Sequence, residues 1–332
     1  MERQGQSWDG LSRRAQWHAA WTHGPVELWR VLSLIDPGHG ALSLGFMGAT
    51  IAVGMIRWRL VMQVHGLELS LGRAAEISLV AHFFNSFLLG STGGDLMKAV
   101  YAARETRHLK TEAVVTVLVD RLLGLLAMLT FAALMMLPNL SLLAAHRRLA
   151  ALAGITLALL GGGLAFAAVS FWGGVSRRWP RARAWLRRLP KSDVLERSLD
   201  ACRRFGQHPR CLVQAFALSM LLNALCVGQV WTLSRGLGLG IGLTKLLVIV
   251  PVIICISALP VTPSGLGVRE NMYVWMLAVP GISVAATQAL SLSLLAYAGS
   301  LAWSLAGGAV YVTFRQRHHL AEVVRADEPG PG

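Results

Sequence analysis

Acidic residues are scarce in this chain. Of its 332 residues, 17 are Asp or Glu and 31 are Lys or Arg, and charged residues together make up 14%, against about 25% in a soluble domain. Apolar residues reach 54% and the mean hydropathy is +0.53. That balance excludes a water-soluble globule, a disordered chain, collagen and a coiled coil. Cysteine is sparse as well. Cys202, Cys211, Cys226 and Cys255 form no CxxC pair and have no histidine cluster beside them, so neither a zinc site nor a disulfide framework is signalled. They read as reduced, buried, small apolar residues.

Signatures of phosphate, metal and acyl chemistry are missing too. No GxxxxGK[ST], HExxH or GxSxG occurs, which leaves the chain without an ATP-hydrolysis or hydrolase motif. Gly236, Gly238, Gly240 and Gly242 lack the spacing of a dinucleotide loop and read as a short connection between spans. No cofactor and no metal are expected. The first 40 residues have no apolar stretch followed by a small-residue cleavage site, so they are not a cleavable secretory signal. Trp17, Trp21, Leu28, Val31 and Leu32 form either the apolar side of a surface-lying helix or part of a polar tail.

What the chain has in quantity is apolar runs. A helix needs about 20 mainly apolar residues to cross the hydrocarbon core. Residues 113–137, 149–172, 211–234, 243–260 and 285–313 meet that need clearly. Residues 41–63 nearly do, with Arg57 and Arg59 close enough to one end to snorkel to the interface beside Trp58. Residues 74–90 and 271–284 are short and interrupted, each a crossing, a tilted half-helix or a re-entrant segment. The fold class is therefore all-α, a polytopic helical membrane protein of about eight membrane segments. It divides into a basic segment 1–40, a transmembrane domain 41–314 and a tail 315–332, the domain having halves 41–172 and 211–314 joined by a basic loop 173–210.

The net charge of +14 is concentrated. Between Gly174 and Arg210, eleven Lys or Arg stand against Asp193, Glu196 and Asp200, so this loop alone carries +8. By the positive-inside rule it is cytoplasmic, together with the Lys98 to Lys110 loop and the Arg315 to Arg325 tail. Eight crossings with both termini inside satisfy all three placements, while Arg73, Arg147 and Arg148 run against them. Basic residues that flank apolar spans have anionic lipid headgroups as their nearer partner, so no nucleic-acid partner is expected. Asp193 to Glu196 resembles a capping box, and Leu195, Leu199 and Cys202 recur at helical spacing opposite Arg197, Arg203 and Arg204. This stretch is an interfacial helix or a solvated connector.

Two segments break down alike, one in each half. Displacing Asn85–Lys98 by 171 residues brings Ser86 onto Ser257, Leu88 onto Leu259, Gly94 onto Gly265 and Lys98 onto Arg269. Paired Gly/Pro interruptions at corresponding positions of two halves point to a binding site in transporters built from repeats. Hydrocarbon satisfies no free N–H or C=O, so non-helical chain at membrane depth implies surrounding protein or a wet cavity. The candidate binding residues are Asn85, Ser86, Gly93, Gly94, Asp95 and Lys98 in the first break, and Thr262, Pro263, Gly265, Gly267, Arg269 and Glu270 in the second. Asp120 and Arg121 join them, being ionisable residues inside an apolar run. The two breaks are expected to line one wet compartment. In the plainer reading each is a cytoplasmic turn, and Asp120–Arg121 is a structural ion pair. His82, Glu76, Asn223 and Gln229 read as interior polar groups serving inter-helix hydrogen bonds.

Gly94-Asp95 with Lys98, the Asp120-Arg121 pair and the run from Pro260 to Glu270 resemble elements of a known family. They are similar to the GD-x-x-[RK], ER or DR, and PxxPxGLGxxE elements in the transmembrane, flippase-like domain of lysylphosphatidylglycerol synthases. The resemblance covers about residues 41–314. Leu89 stands where that family usually has Leu-Pro, and residues 1–40 do not supply the extra helix with which its members usually begin. The resemblance implies a stand-alone member without the acyltransferase domain, hence no enzyme. It implies movement of a phospholipid, aminoacyl-phospholipid or related lipid between leaflets of a bacterial-type cytoplasmic (inner) membrane. Lys98, Arg121 and Arg269 would then meet the phosphate, and Asp95, Asp120 and Glu270 would balance them or receive a cationic aminoacyl headgroup. The implied partners are membrane lipids with anionic or aminoacylated headgroups, and a lipid-modifying enzyme. The alternatives are a non-catalytic scaffold or accessory subunit of a lipid-modifying, glycosyltransferase or hopanoid pathway, and a membrane-embedded transferase with Asp95 or Glu270 as base.

Overall fold

A computed structural model describes residues 33, 35–87, 93–105, 109–140, 147–171, 192–257, 262, 265–279 and 282–326. The expectations for most of residues 1–40, for the loop up to residue 191, for the side chains of the capping box and for Pro260 and Pro263 lie outside the described residues. Ten helices carry the fold: α1 Pro37–Gln63, α2 Leu71–Phe87, α3 Gly93–Glu105, α4 Lys110–Met136, α5 Arg147–Phe171, α6 Ser192–Gly206, α7 Pro209–Gly236, α8 Leu243–Ser257, α9 Val268–Leu277 and α10 Ala286–Ala326. Among the described residues there is no strand.

Each expected membrane segment falls on a helix, but among the described residues only α1, α4, α5, α7 and α10 are long and apolar enough to cross. The run 243–260 shortens to α8, whose 15 residues span about 22 Å at about 1.5 Å per residue, short of the roughly 30 Å core. Pro251 lies inside it. The stretch 271–284 is helical only as far as Leu277, in the 10-residue α9, which begins earlier at Val268. Lys98 to Glu105, expected as loop, belongs to α3. Its charges conceal a helix whose Gly93, Gly94, Ala99, Tyr101 and Ala102 are buried on one face.

The short helices pair into hairpins. Arg73 near the start of α2 donates to Glu105 at the end of α3, Nε to Oε1 2.7 Å, so this hairpin enters and leaves at one end of the bundle. Trp58 and Met62 of α1, Ala102 of α3 and Ala113 and Val117 of α4 share one apolar cluster at that end. Arg73, which eight crossings would place on the far side, therefore lies with the basic end. In the second half, α8 and α9 pack against one another, and Leu246, Leu277 and Val284 share one cluster.

The two halves are inverted copies. Displacement by 171 residues lays α1, α2, α3 and α4 on α7, α8, α9 and α10, with every end but the last agreeing within five residues. α1 and α7 run antiparallel along their length: Asp36 N–H donates to the Gly236 carbonyl at 3.3 Å, Phe46 packs on Gly228, and the Cys211 thiol reaches the Leu60 carbonyl at 3.5 Å. Packing repeats with the halves exchanged, α2 on α10 as α8 on α4, and α3 on α4 as α9 on α10. The first described residues of α1 and the far part of α10, where Val310 and Tyr311 join the Trp58 cluster, consequently sit at opposite ends. Close approach of backbones holds the assembly together: a Cβ on Gly307 would stand 2.1 Å from the Leu79 carbonyl oxygen.

α5 lies outside this repeat against α4. Its Ile155 and Phe166 are 56% and 63% exposed, the reverse of a soluble protein and the expectation for a face turned to lipid. α6 caps the basic end through Ala201 and Phe205, which cluster with Val61, Val115 and Phe171. His65, just past α1, is 5% exposed and meets the Phe205 ring edge-on at 5.0 Å. Its ring nitrogens are buried, with a weak backbone contact from Ala201 that opposes the effect of burial. Burial lowers its pKa and Arg204 lowers it further, with His208 acting the same way and Glu112 opposing. A histidine held neutral by folding contributes stability that is lost as pH falls below its unfolded value of about 6.5. The α6 cap should therefore loosen on acidification from about pH 6.5 until the lowered folded pKa is passed. Thermal midpoints or protease cutting in the 173–191 loop measured against pH would show it. An unchanged acid dependence in His65→Phe would exclude this histidine as the cause.

The four cysteines are unpaired and half-buried, less enclosed than their apolar character led one to expect.

Candidate functional site

The first break is sealed by a contact that needs glycine. The Gly94 N–H, an otherwise free donor at the start of α3, donates to Asn85 Oδ1 at 2.8 Å. A Cβ on Gly94 would lie 2.1 Å from the Ala81 carbonyl oxygen, so only glycine allows α3 to turn back against the end of α2. Ser86 is occupied locally, its hydroxyl donating to the His82 carbonyl at 3.3 Å. Gly93 is buried beside Gly94.

Asp120 and Arg121 do not pair with one another. Successive helical residues point about 100° apart, and here they face different neighbours. Asp120 turns to α1, where Arg57 binds both its oxygens, Nε to Oδ1 at 2.7 Å and Nη2 to Oδ2 at 3.0 Å. The third arm of Arg57 donates to Ser219 of α7 at 2.9 Å. The two side chains are 12% and 7% exposed. Arg121 turns to α3 and pairs with Asp95. Arg57 was expected to snorkel outward. It is drawn inward because a carboxylate buried in the bundle needs a charge partner, and Gly124, one turn beyond Asp120, leaves space where a Cβ would meet the guanidinium at 3.0 Å. Arg59 does reach the end of the bundle, donating to the Leu69 carbonyl at 2.8 Å.

Lys98 stands beside this pair. Its ammonium lies 5.0 Å from the centroid of the buried Trp58 ring. Among the described residues no carboxylate comes within 4.0 Å of it. It borders a cavity of about 240 Å³ between α1, α2, α3 and α7. One wall of the cavity is polar, formed by Ser78, His82 and Asn85 with Lys98. The other is mainly apolar, formed by Met47, Ile51, Met55 and Leu222, with Thr50 between them donating its hydroxyl to the Met47 carbonyl at 2.7 Å. His82 is anchored across the bundle by the Ser300 carbonyl, 3.1 Å from Nε2.

The second break repeats the geometry with other contents. Gly265 has φ 70°, and a Cβ there would stand 2.9 Å from the Ser257 carbonyl oxygen, the counterpart of Gly94 against α2. Gly267, φ 83°, starts α9, and its N–H donates to Glu270 Oε2 at 2.6 Å. Glu270 Oε1 accepts from Arg269 Nη2 at 2.5 Å, and Ser293 of α10 lies within 3.5 Å of both side chains. Arg269 also lies over Tyr297, 4.5 Å from its ring centroid. The hydroxyls of Ser257 and Thr262 are buried here without a partner among the described residues.

Among the described residues, the first break borders this cavity and the second does not, and no ion pair joins the clusters. The cause is visible under the 171-residue displacement. Ser78, His82 and Asn85 correspond to Ile249, Ile253 and Ile256, branched apolar side chains that fill the equivalent space within the largest apolar cluster. The cavity survives only where polar residues leave it open. Of the other interior polar groups, Asn223 donates to the Ser219 carbonyl at 2.8 Å and Gln229 reaches the Ala296 carbonyl at 3.4 Å. Glu76 instead pairs with Arg73 at 3.0 Å in a half-exposed position.

Sequence reasoning put Arg57 and Trp58 at the interface instead of in the site and did not single out Ser219, Ser293 or Tyr297. A search for the cation that Asp120 must find would have reached Arg57. The aromatic and hydroxyl partners carry no sequence signal of their own. Comparison with curated proteins gives no match. A family model described as the lysylphosphatidylglycerol synthase TM region matches residues 15–314. That match spans the hairpins, the charged clusters and every crossing helix, and on it this multi-pass membrane protein belongs to the lysylphosphatidylglycerol synthase TM region family.

Proposed function

We propose that the protein moves a polar-headed lipid between the leaflets of the cytoplasmic (inner) membrane, without ATP hydrolysis of its own and without covalent chemistry. The observation that carries this reading is the cavity beside the first broken hairpin, with one polar wall and one apolar wall inside an inverted repeat. A cavity so divided suits a molecule that is itself divided into a charged head and apolar tails. Inverted repeats with broken helices near the midplane are the architecture through which many transporters expose a site to either side. An Arg or Asp at the centre of a lone helix costs about 2.5–3.5 kcal/mol, and partnered groups around a wet groove reduce that cost for protein and headgroup alike.

The positive-inside rule sets the end bearing α6, Arg73 and Arg104 in the cytoplasm, which puts the start of α1 at the outer face. The energy source is then a lipid gradient, a coupled ion or a partner, with a lipid-modifying enzyme as the natural supplier of substrate. The test is leaflet exchange in liposomes holding the purified chain and fluorescent phosphatidylglycerol, lysylphosphatidylglycerol or phosphatidylethanolamine. Faster loss of protection than in empty liposomes is expected for at least one lipid, slowed in Asp95→Ala. Rates equal to empty liposomes for all three would remove the proposal.

A further inference from the structure

The geometry points to the Lys98 ammonium as the seat of a phosphate ester anion, belonging to a lipid whose headgroup carries no positive charge. This rests on the lipid-translocation reading and names the lipid class that the cavity takes. Around the first break three cations, Arg57, Lys98 and Arg121, stand with two carboxylates, Asp95 and Asp120. Arg57 occupies both oxygens of Asp120 and Arg121 takes Asp95. Lys98 faces the Trp58 ring, which attracts a cation but neutralises no charge, and Asp120 and Asp95 act on it only from beyond ion-pair distance, their oxygens being taken by the two arginines. The excess positive charge therefore sits at the cavity wall, where an anion would complete the network.

The rest of the wall decides what the anion can be attached to. Ser78, His82 and Asn85 offer hydrogen bonds, and no lining residue is Asp or Glu. A glycerol or other hydroxylated headgroup finds partners there. An ammonium headgroup finds the like charge of Lys98 and no carboxylate. The apolar wall from α1 and α7 favours a lipid over a free phosphate ester. Among the described residues the second half shows no duplicate seat, because Arg269 is held by Glu270 and isoleucines fill the corresponding space.

The test uses the full chain in phosphatidylcholine nanodiscs with fluorescent phosphatidylglycerol as probe, competed by lysylphosphatidylglycerol or by water-soluble glycerol 3-phosphate. Phosphatidylglycerol should bind at least about tenfold more tightly than either competitor. Lys98→Met should lose about tenfold in affinity, while Lys98→Arg should stay within about threefold, because it keeps the charge. Lysylphosphatidylglycerol binding as tightly, glycerol 3-phosphate binding as tightly, or a folded Lys98→Met with unchanged affinity would each overturn the seat. Should Lys98→Met fail to fold, the wild-type headgroup comparison and Lys98→Arg still decide. Binding needs no leaflet exchange. Lys98-dependent binding without exchange removes transport and leaves the seat, and exchange without headgroup discrimination does the reverse.

Discussion

Asp120→Ala is expected to destabilise the protein by about 3–5 kcal/mol, the cost of leaving one partner of a buried ion pair uncompensated. Both guanidinium contacts of Arg57 to Asp120 would vanish, while its side chain stays 12% exposed and able to reach only Ser219. Replacing both partners with leucine should recover most of the loss, because the desolvation cost of two charges disappears with them. Thermal unfolding of the detergent-solubilised protein would measure all three forms. A loss below about 1 kcal/mol in Asp120→Ala would mean the pair behaves as a solvated one. Full stability in the double variant together with lost lipid exchange would assign the pair to function instead of folding.

Gly94→Ala should be the other severe change. Its Cβ would be placed 2.1 Å from a backbone oxygen of Ala81 and 2.6 Å from Asn85 Cγ, and neither α2 nor α3 can yield without opening the hairpin. Overpacking of this kind costs about 1–3 kcal/mol and occasionally more, and a clash with backbone belongs at the upper end. Gly72→Ala is the matched control, since nothing lies within 4 Å of its added Cβ and alanine is the better helix former by about 1 kcal/mol. Melting temperatures should fall sharply for the first and hold or rise for the second. Equal behaviour of the two variants would mean that the return of α3 against α2 is not tight.

Much of the architecture was open to reading from residues alone. Length and apolarity identified α1, α4, α5, α7 and α10, because a crossing helix must be uniformly apolar over its full length whatever it packs against. Four matching residues at a displacement of 171 pointed to the repeat that the helix ends then displayed in full. α3 was missed because its buried face is short and built of glycine, alanine and tyrosine among charges, so it reads as loop. α8 read as longer than its 15 residues because hydropathy counts apolar residues and carries no record of backbone geometry.

The same division holds at the site. Asp95, Lys98, Asp120, Arg121, Arg269 and Glu270 stand out in the sequence because charge inside an apolar domain is costly wherever it points. Which charges meet is a matter of helix rotation and antiparallel packing, and local sequence records neither. Asp120 and Arg121 are adjacent in the chain and serve different partners, whereas Arg57 and Asp120 are 63 residues apart and share two hydrogen bonds. By itself the sequence determined that the protein is a helical, membrane-spanning, twice-repeated chain with polar breaks, since those properties follow from transfer energies that each residue carries with it. Only the tertiary structure decided that the halves are inverted, that one half keeps a cavity while isoleucines fill the other, and that Lys98 is the cation left at its wall. Those outcomes depend on which side chains meet across helices, and that is set by packing.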